Sequence, residues 1–355
     1  MNFLFAAGGT GGHIFPAVAV AEALLERNQR HQVMFLGTGR ELERKLLSKF
    51  NYQAVDAFAV TGKGVRGIAS VAMRSPRTIS RIKAIYREFN PNVVVGFGGY
   101  PSFLPVVAAL LSKIPTAIQE QNASLGLANK VLWPFVDAVF IGPEAAAPKS
   151  SKIIRVKNPV RKIFYGTSAF NSDKPLTLLI VGGSQGAMRL NTAVASLVPL
   201  WKRLGVTVVH QAGARDKERV ESLYRQQTFS NVQVVDFIAD IAKAYDAAHL
   251  VICRAGAMTV AEVEAAGRPA IFVPLPIARA HQAENVRGAL HSGSALLVEE
   301  GDDFPAKLAA EAERLLTSTN NLAEMAERAV RARGETTERP AEFLATALER
   351  LGTKG

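Results

Sequence analysis

Among 355 residues there is one cysteine, Cys253, so no internal disulfide can form and a reducing compartment is expected. It closes the apolar run Leu250-Val251-Ile252-Cys253, which reads as a buried strand. Nowhere are there the roughly 20 consecutive apolar residues needed to span a bilayer. The start, Met1-Asn2-Phe3-Leu4-Phe5-Ala6-Ala7, lacks the basic lead and cleavage pattern of a signal peptide and runs straight into glycines. Two glycine turns follow apolar runs, and neither has the G-x-G-x-x-G spacing; G-x-x-x-x-G-K-[ST] is absent altogether. A nicotinamide-dependent dehydrogenase and a P-loop enzyme therefore lose their main support. No Asp-x-Asp is present to hold a divalent ion on a diphosphate, so neither metal nor cofactor is expected.

Acidic residues are scarce in one half only. Of the net charge of +11, residues 1–160 account for +10, from 19 lysines and arginines against nine acidic residues. Lys63, Arg66, Arg74, Arg77, Arg81, Lys83 and Arg87 precede Glu88 without an acidic residue among them. Such a run suits an anionic surface or is simply a solvated face. It has no interleaved aromatics and no nucleic-acid module accompanies it, so nucleic acid is not the expected partner.

An apolar fraction of 48% supports a substantial core, and the length favours two domains. Short apolar runs alternate with helical patterns: near 2–7, 32–36, 54–58, 93–96, 116–119, 137–141 and 153–156, then 176–181, 206–210, 231–235, 249–252, 270–273 and 295–298. This alternation predicts parallel sheets built from strand-helix-strand units. Each half opens with a strand, a glycine turn and a helix, at Gly8-Gly9-Thr10-Gly11-Gly12 and Gly182-Gly183-Ser184-Gln185-Gly186. The expected architecture is α/β, two Rossmann-like domains over 1–160 and 161–355 facing a central cleft, with the last helix a candidate to pack back on the first.

Glycine turns between strand and helix let backbone N–H groups approach a phosphate at the positive end of the helix dipole. A third turn, Arg254-Ala255-Gly256-Ala257-Met258-Thr259, leads to Glu262, which can accept ribose hydroxyls or merely compensate the helix dipole. Pro274-Leu275-Pro276 and His281-Gln282-x-x-Asn285 bring amide and imidazole groups to the next strand end, either for a sugar or as a plain polar loop.

Gly8–Pro16, Gly98-Gly99-Tyr100-Pro101-Ser102, Glu120-Gln121-Asn122, Asn158-Pro159-Val160-Arg161, Gly182–Ala187, Cys253–Ala257 and His281-Gln282 stand in the order seen in the MurG family, which this chain resembles over nearly its whole length. That family transfers N-acetylglucosamine from UDP-N-acetylglucosamine to lipid I, giving lipid II for peptidoglycan. The resemblance implies a GT-B fold and an inverting, metal-independent hexosyl transfer at the cytoplasmic face of the plasma membrane. It also implies an anionic membrane surface and proteins of the cell-wall machinery as partners. By the same resemblance Ser184 and Gln185 lie near the donor diphosphate, the backbone near Ile238 at the uracil, and Glu262 on the ribose. Ala257, Met258, Thr259, His281, Gln282 and Asn122 surround the sugar, and Thr10, Gly11, Gly12 and Arg161 also touch the donor. Gly8, Gly9 and Tyr100 fall on the acceptor side. His13 is either the general base or a ligand of acceptor phosphate. The family commonly has histidine where Gln119 stands, glycine at Lys157 and alanine at Val286. A UDP-sugar transferase of related fold with a diacylglycerol or other polyprenol acceptor is the alternative.

The helical spacing of Ile79, Ile82, Ile85 or Tyr86, and Phe89 assigns them to the core. Ile68, Val71 and Met73, among Arg66 and Arg74, are expected in a loop ahead of that helix, as the lipid contact.

Overall fold

The computed structural model describes the chain except for residues 57–63, 168–169, 171–174, 184–186, 277–278, 335–337 and 354–355, and the side chains of 64–75, 279–281 and 319. Two units make it up, Met1–Arg161 with Thr337–Gly355, and Lys162–Thr336. The first contains β1 (Asn2–Ala6), α1 (Gly11–Arg27), β2 (Gln32–Gly37), α2 (Glu41–Leu46), β3 (Asn51–Ala54), α3 (Gly64–Phe89), β4 (Val93–Gly96), α4 (Gly99–Leu111), β5 (Thr116–Gln119), α5 (Leu127–Leu132), β6 (Ala138–Ile141) and β7 (Ile153–Arg155). After a 3₁₀ turn at Lys162–Gly166 the second contains β8 (Thr177–Val181), α6 (Met188–Ser196), α7 (Val198–Arg203), β9 (Thr207–Gln211), α8 (Lys217–Gln226), β10 (Val232–Val235) and α9 (Ile241–Ala247). It continues with β11 (Leu250–Arg254), α10 (Ala257–Ala266), β12 (Ala270–Val273), α11 (Arg279–Asn285), α12 (Arg287–His291), β13 (Ala295–Leu297), α13 (Phe304–Leu316) and α14 (Thr319–Arg333). The last helix, α15 (Pro340–Gly352), belongs to the first unit.

All strand pairs are parallel, in the orders β3-β2-β1-β4-β5-β6-β7 and β10-β9-β8-β11-β12-β13. Both orders reverse direction beside the first strand of the unit, at β1/β4 and β8/β11. That is where doubly wound sheets open a crevice beyond their carboxyl ends. The strands are near-continuous apolar runs because helices cover both faces. In β1, Phe3 and Phe5 pack with α1 and with Leu344 and Leu348 of α15, while Leu4 faces Ile82 and Tyr86 of α3 and Leu104 of α4. Burying side chains of this size stabilises by about 1.5–3 kcal/mol each.

Two expectations need correction. The third strand is Asn51–Ala54, ahead of the run expected near 54–58, of which 57 and 58 lie outside the described residues; it pairs in register with β2 from Met34↔Asn51 to Gly37↔Ala54. As a half-buried edge strand it carries polar residues and gives little apolar signal. Residues 68–73 are helical, because α3 is continuous from Gly64 through Pro76 to Phe89. Ile82, Ile85, Tyr86 and Phe89 are buried, as their spacing predicted, and Ile79 is partly buried against them; the side chains of Ile68, Val71 and Met73 lie outside the described residues.

Candidate active site

In the first unit the β1/β4 crevice is bordered by two glycine turns. Thr10, the residue before α1, has extended backbone (φ −138°, ψ 158°) and its side chain makes no cap. Its carbonyl accepts from the N–H groups of His13 (3.1 Å) and Ile14 (3.3 Å), so those of Gly11 and Gly12 stay available to an anion. Gly9 differs: its N–H donates to Glu43 Oε1 at 2.7 Å, so part of the turn is occupied by the protein's own carboxylate. The Phe15 ring packs over Gly11, where a Cβ would meet it at 2.9 Å, and the Arg161 guanidinium lies 5.6 Å from that ring's centroid. Tyr100 stands beside Gly9 with Arg40 over its ring at 5.9 Å.

His13 projects from the first turn of α1 against the Gly98-Gly99 turn. Both glycines have positive φ (83° and 69°), and a Cβ on Gly99 would come within 3.0 Å of His13 Nε2. Glycine is required there for the backbone and for the ring. His13 Nδ1 lies 3.1 Å from Gln121 Oε1. Asn122 donates through its N–H and Nδ2 to Glu120 Oε1 at 3.1 and 2.9 Å. Glu120 also accepts from Gly126 N and Asn129 Nδ2, which holds the loop around Asn122 in shape.

Glu43 was not legible as a site residue. It is fully buried on α2 and accepts from Gly9 N, Thr38 N (2.6 Å), Thr38 Oγ1 (2.8 Å), Gly39 N (3.0 Å) and Tyr52 OH (2.8 Å). Burial alone would raise its pKa, but hydrogen bonds from Gly9, Thr38 and Tyr52 outweigh it and hold the carboxyl below its ordinary range. Burial and the same carboxylate push the Tyr52 phenol up, keeping it a donor.

In the second unit, Gly182 N donates to Gln211 O (3.1 Å) and Gly183 takes φ +83°. Ser184 and Gln185 lie outside the described residues, as does the side chain of His281. A buried network supports this turn. His210 contacts Tyr224 OH at 2.9 Å and Asn191 Oδ1 at 3.1 Å, and Asn191 Nδ2 donates to Asp216 Oδ2 at 2.7 Å. Burial pushes the His210 pKa down to about 3 against the opposing pull of Asp216, so the ring stays neutral.

At β11 the turn Ala255-Gly256 opens α10 with no side-chain cap and no acidic residue in its first turn. Glu262 is its sixth residue, too far along for strong dipole compensation, which fades within one turn. Thr259 is half-buried near Gly256, while the Met258 side chain is buried, leaving only its main chain for a ligand. Gln282 Oε1 accepts from Leu275 N (2.8 Å) and Asn285 Nδ2 donates to Ala255 O (3.2 Å), so these amides tie together the two loops they were expected to serve. Ile238 N faces Gln211 Oε1 at 3.4 Å, and its neighbour Phe237 is 43% exposed. Phe237 went unremarked in the sequence, where a single aromatic after a strand carries no signal; its ring is a surface on which a base could stack.

Residues 3–141 match the glycosyltransferase family 28 N-terminal domain and residues 177–339 its C-terminal domain. With its two doubly wound units, the protein is therefore a glycosyltransferase of the GT-B class. The UDP-N-acetylglucosamine--N-acetylmuramyl-(pentapeptide) pyrophosphoryl-undecaprenol N-acetylglucosamine transferase of Anaeromyxobacter sp. (strain Fw109-5) is 41% identical over 93% of this chain and 89% of its own length. The protein of the same name from Syntrophus aciditrophicus is 39% identical over 92% of each. The crystal structure of Acinetobacter baumannii MurG has a TM-score of 0.76 at 32% identity, covering 98% of this chain and 99% of that one. The chain belongs to the MurG family. The glycosyltransferase VinC in complex with dTDP shares the fold at 16% identity, with a TM-score of 0.69 over the whole of both chains.

Proposed function

We propose that the protein transfers N-acetylglucosamine from UDP-N-acetylglucosamine to the 4-hydroxyl of the muramyl sugar of lipid I, with inversion, giving lipid II for peptidoglycan synthesis. The observation that carries this is identity near 40% along more than nine-tenths of the chain to transferases named for that reaction. None of those relatives is named for a diacylglycerol acceptor, so that alternative is not favoured.

The first unit, 1–160 in the sequence division, takes the acceptor. Its diphosphate meets the N–H groups of Gly11 and Gly12, with Gly8, Gly9, Tyr100 and His13 around it. The second unit holds the donor. Gly183, Ser184 and Gln185 with the N-terminus of α6 stabilise the charge left on UDP, Ile238 reads the uracil, and Glu262 accepts the ribose hydroxyls. Ala257, Met258 through its main chain, Thr259, His281 and Gln282 surround the sugar. Inversion requires the 4-hydroxyl to attack the anomeric carbon from the face opposite UDP while a base takes its proton, and His13 Nε2 is that base. No group in this scheme calls for a metal.

The enzyme works peripherally at the cytoplasmic face of the plasma membrane, among proteins of cell-wall assembly, cell shape and division. Among the described residues no helix is long and apolar enough to cross a membrane. Leu127, Lys130, Val131 and Phe135 are exposed together on and after α5, giving the basic unit an apolar group suited to anionic lipid.

The test is transfer of labelled N-acetylglucosamine to a short-chain lipid I analogue, with and without chelator. Turnover that survives chelation is expected; no transfer to this acceptor overturns the proposal. In the same assay His13→Ala is expected to keep UDP affinity and lose turnover by roughly 10²–10⁴. Near-normal turnover at saturating acceptor removes His13 as the base.

A further inference from the structure

Three side-chain amides join His13 to the end of the first sheet, and each is fixed in orientation by a main-chain carbonyl. Gln121 Nε2 donates to Phe97 O at 2.8 Å. Gln119 Nε2 donates to Glu120 O at 3.1 Å. Asn158 Nδ2 donates to Gln121 O at 2.7 Å. A backbone carbonyl can only accept, so in each amide the nitrogen must be the atom facing it.

The remaining contacts then have one direction. Asn158 Oδ1 accepts from Gln119 Nε2 at 3.0 Å, and Gln119 Oε1 accepts from Gln121 Nε2 at 2.6 Å. Both N–H groups of Gln121 are used, and its oxygen is what His13 Nδ1 meets at 3.1 Å. An oxygen with no hydrogen demands a donor, so Nδ1 carries the proton of the neutral ring. Nε2, which has no hydrogen-bond partner among the described residues, is left with its lone pair. Gln119 and Gln121 are 2% and 5% exposed, and buried amides hold such an arrangement firmly because breaking it strands a polar group away from water.

We propose that Gln121, held in turn by Gln119 and Asn158, is the positioning residue that fixes His13 as the Nδ1–H tautomer and so makes Nε2 a proton acceptor. This rests on the reading of His13 as the base. It is the role that a carboxylate performs in hydrolase triads, performed here by a neutral amide that adds no charge beside the acceptor diphosphate. It also gives Gln119 a purpose where the family commonly has histidine. An amide presents the same acceptor to Gln121 at every pH, whereas an imidazole there would become a donor on protonation and break the chain.

The experiment is long-range ¹H–¹⁵N correlation on the full chain with ¹⁵N-labelled histidine, His13 being assigned by its loss in His13→Ala. At a pH where the ring is neutral, a protonated Nδ1 and a bare Nε2 are expected. A wild-type spectrum with the proton on Nε2 overturns the proposal without recourse to any variant. Gln121→Met should admit the Nε2–H tautomer and lower kcat roughly 10- to 100-fold, a part of the general-base contribution, with UDP affinity unchanged. Gln119→Met should move both in the same direction by less. A Gln121→Met protein that keeps the Nδ1–H signature also overturns the proposal. A tautomer change with unaltered turnover upholds the positioning role and removes His13 as the base.

Discussion

Replacing Glu43 with glutamine changes a single atom of the first glycine turn's anchor. Five donors converge on the carboxylate: Gly9 N and Thr38 Oγ1 on Oε1, and Thr38 N, Gly39 N and Tyr52 OH on Oε2. A glutamine must put its NH₂ at one of these positions. At Oε2 it would oppose two main-chain N–H groups; at Oε1 it opposes one, because the Thr38 hydroxyl can rotate and accept. The NH₂ therefore goes to Oε1, and the bond lost is the one to Gly9. Leaving a buried donor unsatisfied costs about 1–3 kcal/mol, which for a unit of this size corresponds to a drop of roughly 2–12 °C in melting temperature. The freed Gly9 should raise the acceptor KM and lower kcat in the transfer assay, while UDP affinity by titration calorimetry stays at the wild-type value. Scanning calorimetry and kinetics of Glu43→Gln check this together. Wild-type melting with wild-type acceptor kinetics would refute the latch, and weakened UDP binding would refute its confinement to the acceptor side.

Glu262→Ala should weaken UDP binding by about 1.5–3 kcal/mol, the range for hydrogen bonds to a charged group; unchanged calorimetric affinity sinks the ribose assignment. For His210 the folded pKa, near 3, lies below the ordinary 6.5, so its contribution is complete above pH 6.5 and is lost as pH falls from there towards 3. Wild type should lose about 2 kcal/mol more than His210→Gln between pH 7 and 5, at about 1.4 kcal/mol per unit, and parallel urea-denaturation profiles would contradict this. In co-sedimentation with anionic vesicles, changing Leu127, Val131 and Phe135 to serine, or Arg66, Arg74 and Arg77 to glutamate, should each reduce the salt-sensitive pelleting of wild type. If neither does so, docking lies elsewhere.

Strands such as Val93–Gly96 could be read directly, because helices on both faces force a continuous apolar run. β3 could not, since an edge strand reading Asn-Tyr-Gln-Ala tolerates polar residues on its open side. The glycine turns were legible because positive φ and close approach exclude other residue types. Glu43 was not, since within Glu-Leu-Glu-Arg-Lys-Leu it looks like one charge on a solvated helix; only folding brings Gly9 and Tyr52 to it. The amides at 119, 121 and 158 were visible as motif residues. Their purpose depends on carbonyl directions that no one-dimensional pattern carries.

Because α15 belongs with β1 and α1, the second unit is an insertion within the first. On the ribosome this inverts the usual order of maturation. Lys162–Thr336 is fully synthesised, and free to fold, before Leu344 and Leu348 exist to close the core around Phe3 and Phe5. Until they emerge, one face of the first sheet waits partly uncovered, and it is the later-made unit that can be finished first.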